Sequence, residues 1–407
     1  MALLPRFDSR AVPLVLVAVL IDAIGFGIVM PVLPDLVVQL GHVDLAAAAR
    51  ISGWLLAVFA GAQFFAGPVL GNLADAYGRR PVLILSMAAF SIDYALMAAA
   101  PTLLWLFVGR LVAGVAGATH GPAGAVIADV TLPDRRSAAF GLLSAAFGLG
   151  FILGPALGGL VAPLGPRAPF VVAAVCAGVN AVVMLLFLPE TLEPAHRRPF
   201  RLRDAHVIES FRPLFNAGPA APLIIAWFLW QLGGVVYPAT WSFWAAITLG
   251  WDATAIGWSL AYVGFMQVLV QLLLTDRAVR RLGEKRAAAF GMGCAAATLL
   301  AYAFTTQGWQ VYAFFVVGAL GALAYPAMSG LVTRLVGADR QGALQGGLAS
   351  VNSVAAIAGP VIAAQALATG TRHGFAGTAF LVAGVLLGLS TLLIAMLRTR
   401  QEPSAAV

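Results

Sequence analysis

Apolar residues fill this chain in blocks about twenty long, separated by short polar, glycine-rich or proline-rich breaks. Twelve blocks can be read, at about residues 12–33, 51–72, 82–100, 103–128, 137–162, 168–189, 220–249, 255–276, 286–305, 309–333, 341–367 and 375–397. A helix crossing the hydrocarbon of a bilayer needs roughly 20 mostly apolar residues. Each block therefore predicts one spanning helix. The break between the seventh and eighth, Trp251-Asp252 with Thr254, is the weakest. The longest polar stretch runs from Glu190 to Pro219 and carries Arg197, Arg198, Arg201, Arg203 and Arg212. It predicts a linker over 190–219, with a surface helix near Leu202–Phe211, between a six-helix bundle at 1–189 and another at 220–407.

Composition agrees with lipid as the solvent. Apolar residues make up 61% of the 407 and charged residues 10%, where a soluble domain has about 45–50% and about 25%. Cys176 and Cys294 sit in apolar runs, with no metal-ligand spacing and no evident disulfide pairing. The first apolar run is too long for a signal peptide and lacks a small-residue cleavage site, so it reads as a retained first span.

The net charge of +7 suggests a nucleic-acid partner, but the distribution excludes it. Of 24 basic residues, Arg50, Arg167 and Arg372 fall on one side of the twelve spans and Arg110 inside one; the rest lie on the side of both termini. The positive-inside rule then predicts a multi-pass protein of the cytoplasmic (inner) membrane with both termini cytoplasmic.

The chain also repeats itself. At an offset of 205 residues, Gly78-Arg79-Arg80 faces Gly283-Glu284-Lys285, Gly141 faces Gly346, and Gly154-Pro155 faces Gly359-Pro360. At 209, Val12-Pro13-Leu14 faces Ala221-Pro222-Leu223, and Asp22 faces Gln231. Two parallel copies predict two pseudo-symmetric bundles around a central path, as in many secondary transporters. The fold class expected is an all-α membrane protein of twelve transmembrane helices.

A charge inside a span is costly and marks a functional candidate. Asp22, Asp93 and Arg110 are such residues, all in the first half. A buried carboxyl is pushed toward its neutral form by desolvation and toward its charged form by a nearby cation. Asp22 beside Arg110 would feel both and could couple transport to a proton gradient; the alternative is a static ion pair. Asp93 either titrates or only bonds a neighbouring helix. His120 either titrates near neutrality or is a hydrogen-bonded core residue.

Gly71, Asp75, Gly78, Arg79 and Arg80 make a charged, glycine-bearing turn between the second and third spans, expected to latch the bundles and release them on switching. Gly150, Gly154, Pro155, Gly158 and Gly159 form a small-residue stripe in the fifth span, expected to pack against the other half and seal the path. Gln63, Asn180, Gln231, Gln267, Gln271 and Asn352 are neutral polar residues within spans, serving as glue or as substrate contacts. Trp227, Trp230, Tyr237, Trp241, Phe243 and Trp244 are dense enough to line an apolar site. Gln63, His120, Asn180, Gln231, Trp230 and Tyr237 are taken as the substrate-binding candidates.

Together these segments resemble the major facilitator superfamily, and within it the tetracycline-type proton/drug antiporters. The resemblance rests on Asp22-Ala23-Ile24-Gly25-Phe26-Gly27 through Pro34, Gly71 to Pro81, Asp93-Tyr94, Gly109-Arg110 with Gly114 and Gly117, and Gly154-Pro155-Ala156-Leu157-Gly158-Gly159. It implies Asp22 and Arg110 as proton-coupling residues, Asp93 as a needed membrane acid, Asp75 with Arg79 as the gating loop, and Gln63 and Gln231 facing substrate. Tetracycline exporters of this kind carry an aspartate in the ninth span; the matching position is Ala295, which argues against tetracycline itself and against cation exchange through a second acid.

The sequence thus predicts a monomeric secondary transporter, not an enzyme, exporting an amphipathic small molecule or drug in exchange for protons by alternating access. Its partners are protons, the substrate and the lipid bilayer. No cofactor is expected beyond the proton gradient, and no Gly-x-x-x-x-Gly-Lys-Ser/Thr run is present. The alternative is a proton-coupled uptake symporter or a lipid or metabolite carrier on the same fold. A non-transporting receptor or membrane enzyme has no supporting residue cluster.

Overall fold

A computed structural model describes residues 10–117, 120–132, 135–201, 221–335 and 341–397, with the backbone alone for His120, Ser137, 333–335 and 341–345. The surface helix expected near Leu202–Phe211 lies outside the described residues. Twelve helices are long and apolar enough to cross a membrane. They run Ala11–Val29, Leu45–Tyr77, Arg79–Ala99, Leu103–Val130, Ala138–Leu164, Ala168–Phe187, Ala221–Leu249, Ala253–Leu273, Thr275–Ala303, Gly308–Val332, Gly346–Arg372 and Thr378–Met396. No strand occurs among the described residues. In hydrocarbon a backbone must satisfy its own polar groups, and a continuous helix does so. With an even number of spans the chain enters and leaves on one face, here the near face; the opposite one is the far face.

Several boundaries differ from the sequence reading for identifiable reasons. Span two begins at Leu45, because the Asp44 carboxylate accepts from the Ala47 backbone N–H at 2.7 Å and caps the helix there. Arg50 is therefore inside the helix. Span one stops at Val29, next to Pro31, and a separate far-face helix follows over Leu33–Gly41. Span nine starts at Thr275, but its first eight residues form a surface piece that ends at Gly283, where φ is 74°.

Spans seven and ten are interrupted, at Val235 and over Ala319–Leu323. Pro238 and Pro326 follow closely. A proline lacks the N–H and clashes with the carbonyl four residues back, which here belongs to Gly234 and Ala322. In span four a helix is described over Leu103–Ala116 and again over His120–Val130, with residues 118–119 outside the described ones. These interruptions place irregular backbone beside the central path, where a bond need not be buried in lipid.

The two bundles touch through spans five and eight and through spans two and eleven. The close approaches lie toward the far face. A Cβ on Gly53 would stand 2.7 Å from the Ala364 Cβ and 2.8 Å from the Pro360 carbonyl. The Ser242 hydroxyl donates to the Met30 carbonyl at 2.8 Å, and Thr254 donates to Gly159 at 3.0 Å. Toward the near face, Gly61, Gly67, Gly71, Gly141 and Gly346 have nothing within 4 Å. Among the described residues, the two halves meet closely at the far face.

Candidate functional site

The first-half site is built on spans three and four. Asp93 is fully buried and forms an ion pair with Arg110, itself 7% exposed. Glycine makes this possible: a Cβ on Gly109 would lie 2.6 Å from Asp93 Oδ1. The Arg110 guanidinium carbon also lies over two rings, 5.5 Å from the Phe59 centroid and 5.7 Å from that of Tyr94. Asp93 Oδ1 and Arg110 Nε are buried with no hydrogen-bond partner.

Asp22 is not the partner of Arg110, contrary to the expected pairing. Arg110 reaches the neighbouring span three, where Gly109 lets the Asp93 carboxyl approach. The Tyr94 ring stands on the side of span one: a Cβ on Gly25 would lie 3.0 Å from both Tyr94 Cε2 and its hydroxyl. Asp22, a helical turn before Gly25, is half-buried and makes no hydrogen bond or ion pair among the described residues. The cluster thus holds one locked acid, Asp93, and one unpaired acid, Asp22, with Tyr94 between Arg110 and span one. A small void of ≈ 40 Å³ opens beside it, lined by Gly25, Tyr94 and Arg110 from the first half and by Pro238, Ser242 and Phe243 from the second.

The loop after span two is a hydrogen-bonded knot. Arg79 pairs with Asp75 and also reaches Asp129 at 3.4 Å. Glu190 caps the start of span three, accepting from the backbone N–H of Arg79 at 2.9 Å and of Arg80 at 3.2 Å. The Arg80 side chain donates to the Leu185 carbonyl at 2.6 Å. The chain after span six folds back over this loop, through Arg198 N to the Asp75 carbonyl at 3.1 Å and Asn72 to the Arg201 carbonyl at 3.2 Å. All of these partners belong to the first half or to the chain following it. Among the described residues, no bond of this knot reaches the second half.

The span-five stripe divides between two neighbours. Cβ atoms on Gly150 and Gly154 would lie 2.5 Å from the Leu20 carbonyl and 2.7 Å from that of Ile24, and Gly158 stands against Ile28. These three pack on span one of their own bundle, which corrects the expectation that the whole stripe faces the other half. Pro155 and Gly159 face span eight: a Cβ on Gly257 would be 2.5 Å from the Pro155 carbonyl and 2.8 Å from Gly159 Cα. Span five therefore presses on Asp22's helix with one face and closes the far end with the next.

The substrate candidates separate as well. Asn180 is buried at 2% exposure and donates to Met87 Sδ at 3.2 Å, a bond within the first bundle. Gln63 donates to the Gly117 carbonyl at 3.0 Å, just past the helix that ends at Ala116. The side chain of His120 lies outside the described residues. Gln231 is half-buried and unbonded among the described residues. Trp230 and Tyr237 line a second-half cavity of ≈ 340 Å³, with Gln267, Gln271, Ala295 and Tyr325. Trp241 and Trp244 instead fill the core, fully buried against Tyr302 and Phe380.

Sequence reasoning passed over Tyr94, Phe59, Asp129 and Glu190 as site residues. Glu190 had a signal, an acid directly after an apolar span and able to face a helix N-terminus. Phe59 had none, being one aromatic among many. Among the described residues no group of His, Cys, Asp and Glu could hold a metal ion.

Known proteins fall in line with this geometry. The profile of the Major Facilitator Superfamily matches residues 15–247 and 232–407. The chain is 40% identical to the class C tetracycline resistance protein of Escherichia coli, over 91% of this chain and 93% of that one. It is 36% identical to the class D protein of Salmonella ordonez, over 98% and 99%. Among solved structures, the human organic anion transporter TETRAN superposes with a TM-score of 0.70 at 23% identity, over 95% of this chain and 99% of that one. A bacterial homologue of the human lysosomal transporter Spinster, inward-facing and unoccupied, gives 0.76 at 15% identity over 97% and 98%. With its two bundles of six spans, its charged loop after span two and relatives matched almost end to end, the chain belongs to the Major Facilitator Superfamily.

Proposed function

We propose that the protein is a secondary active transporter of the cytoplasmic membrane that exports an amphipathic small molecule or drug in exchange for protons. The observation that carries this reading is the unpaired Asp22 carboxyl. It sits within span one, while the other intramembrane acid, Asp93, is held by Arg110. An acid with no fixed counter-charge can take and release a proton as its surroundings alternate between wet and dry. An acid locked to arginine is poorly placed to do so. Asp22 is then the proton carrier, and Asp93 with Arg110 is the scaffold that orients Tyr94 against span one.

The relatives named for tetracycline resistance support export and a drug-like cargo. The arginine distribution supports the near face as cytoplasmic, and the two halves meet closely at the opposite, far face. Closing the near face and opening the far one would carry a substrate outward. One proton moving inward gains roughly 2.3 kcal/mol per 100 mV of membrane potential, enough for a useful gradient. Each chain holds a complete path, so the working unit is a monomer, with no cofactor.

The test is proton movement in proteoliposomes on adding substrate, comparing the wild type with Asp22→Asn. Drug flux is expected to persist down its own gradient in the variant, with proton movement and uphill export lost. Equal proton-coupled transport in both would overturn the role of Asp22.

A further inference from the structure

The second-half cavity is hollow because its wall residues are small. Gly318, Gly321 and Ala322 line it where span ten leaves α-helical geometry, and Ala295 faces them from span nine. Even a Cβ on Gly321 would stop 3.0 Å from the Ala295 Cβ. Its volume, ≈ 340 Å³, falls in the range that holds a drug-sized ligand, about 300–1,000 Å³.

Its chemistry is specific. Trp230 and Tyr325 supply aromatic faces, and no acidic or basic side chain among the described residues lines it. Gln267 and Gln271 stand one helical turn apart on span eight, both exposed to the open space and neither hydrogen-bonded to a described residue. An amide offers both a donor and an acceptor. The pair can read two polar groups on one edge of a flat molecule whose rings lie on the aromatic walls. A cation placed here would find ring faces but no counter-charge, and stripping it of water without a counter-charge is costly.

We infer that this cavity binds an uncharged, planar aromatic molecule, held along one edge by Gln267 and Gln271. The inference rests on the transporter reading and names the cargo class of that site. It also fixes the charge balance: a neutral cargo leaving against one entering proton moves one net charge per cycle, so the membrane potential itself drives export.

The test uses three fused-ring probes of one size with the purified full chain in nanodiscs: neutral 1-aminoanthraquinone, cationic 9-aminoacridine and anionic anthraquinone-2-sulfonate. Binding is followed by quenching of tryptophan fluorescence. The neutral probe is expected to bind at least about tenfold more tightly than either ion, and Gln267→Leu with Gln271→Leu to weaken it by about tenfold, the loss of two hydrogen bonds. Ala295→Asp, which adds an acid to the same wall, is expected to raise affinity for the cation. Equal or tighter binding of 9-aminoacridine by the wild type, or no change in the glutamine double variant, overturns the inference. Asp22→Asn leaves the binding order intact, so failure of the exporter reading shows in proton movement and failure of this one in the order of the three affinities.

Discussion

Residues 205 apart hold matching places in the two bundles, and the chemistry at those places differs. Asp93 and Arg110 of the first half correspond to Thr298 and Phe315 of the second, and Gly109 corresponds to Phe314. In the first half the Asp93 carboxyl lies on Gly109 and is paired with Arg110. In the second, the Thr298 hydroxyl donates to the Phe314 carbonyl at 3.3 Å, and Thr298 and Phe315 stand buried in the wall of the cavity. One scaffold thus carries a filled, charged half and a hollow, neutral half. Duplication provides the rocking symmetry that alternating access needs. Divergence at a few interior positions then gives the two halves different chemistry: a buried ion pair in one and an uncharged cavity wall in the other.

The sharpest way to break this comparison is to unbalance the charged half. Arg110→Ala leaves Asp93 buried without its partner, which costs about 3–5 kcal/mol, expected as a large fall in the thermal midpoint in detergent. Replacing both members with apolar residues, Asp93→Leu with Arg110→Met, should recover much of that loss. Thr298→Val at the matching place removes one hydrogen bond, about 1 kcal/mol. If Thr298→Val were as damaging as Arg110→Ala, the two halves would not differ in the way described.

The matching loops offer a finer test. Gly78 and Gly283 both have backbone geometry open mainly to glycine, φ 112° with ψ 158° and φ 74° with ψ 161°. An alanine at either should cost about 1–3 kcal/mol in strain. Only Gly78 has a neighbour in the way: its Cβ would meet the Glu190 carboxylate that caps span three, whereas Gly283 has nothing within 4 Å. Gly78→Ala should therefore exceed Gly283→Ala by about the value of a cap, ~1 kcal/mol, read from paired unfolding curves.

The third comparison concerns span five and its repeat. A Cβ on Gly154 would lie 2.7 Å from the Ile24 carbonyl and 2.8 Å from Gly27 Cα, both backbone. On Gly359 its nearest neighbour would be the Val235 side chain, at 3.1 Å. Backbone cannot step aside as a side chain can. Gly154→Ala should cost about 1–3 kcal/mol and shift Asp22's helix, with export falling in parallel; Gly359→Ala should cost under about 1 kcal/mol.

Much of this was legible in the sequence because lipid makes the signal coarse. Twenty apolar residues have few alternatives to a span, and arginines mark the loops. The repeat at Gly78 and Gly283 was readable as letters, and the structure gives it a shared backbone geometry. Arg80 and Lys285 share a role as well, donating to carbonyls near the ends of spans six and twelve, Leu185 and Leu397. What failed was partnership. Choosing between Asp22 and Asp93 for Arg110 needs the rotation of three helices, and a hydropathy pattern in which every face is apolar carries little record of rotation. The helix starts at Asp44 and Asp252 were missed although both have a side-chain cap three residues ahead of its N–H partner. In each case an acid beside an apolar run reads as a loop until capping is considered.

The smallest expected effect lies at the far face, where the halves close on each other. Asp35, outside the spans on the Leu33–Gly41 helix, is pushed above the usual carboxylate range, first by burial and then by the charge of Asp252. Asp252 caps span eight of the other half, accepting from Ala255 N–H at 2.8 Å. The two acids come from different bundles, so their repulsion opposes the closed far face and disappears when it opens. Asp35 binds a proton more tightly in the closed state than in the open one. The closed state therefore gains as pH falls through the closed-state value of Asp35, and that gain is lost as pH rises through it. Both carboxylates are solvent-screened, so the shift in the closed-to-open ratio should stay below about threefold. Spin-label distances across the far face, followed from acid to neutral pH, would show it. Asp35→Asn and Asp252→Asn, the latter keeping its cap, should each flatten the pH dependence and leave the far face more closed at neutral pH. Asp44→Asn, at the matching cap in the first half, should do neither; an equal response there would mean that the pH dependence does not arise between the bundles.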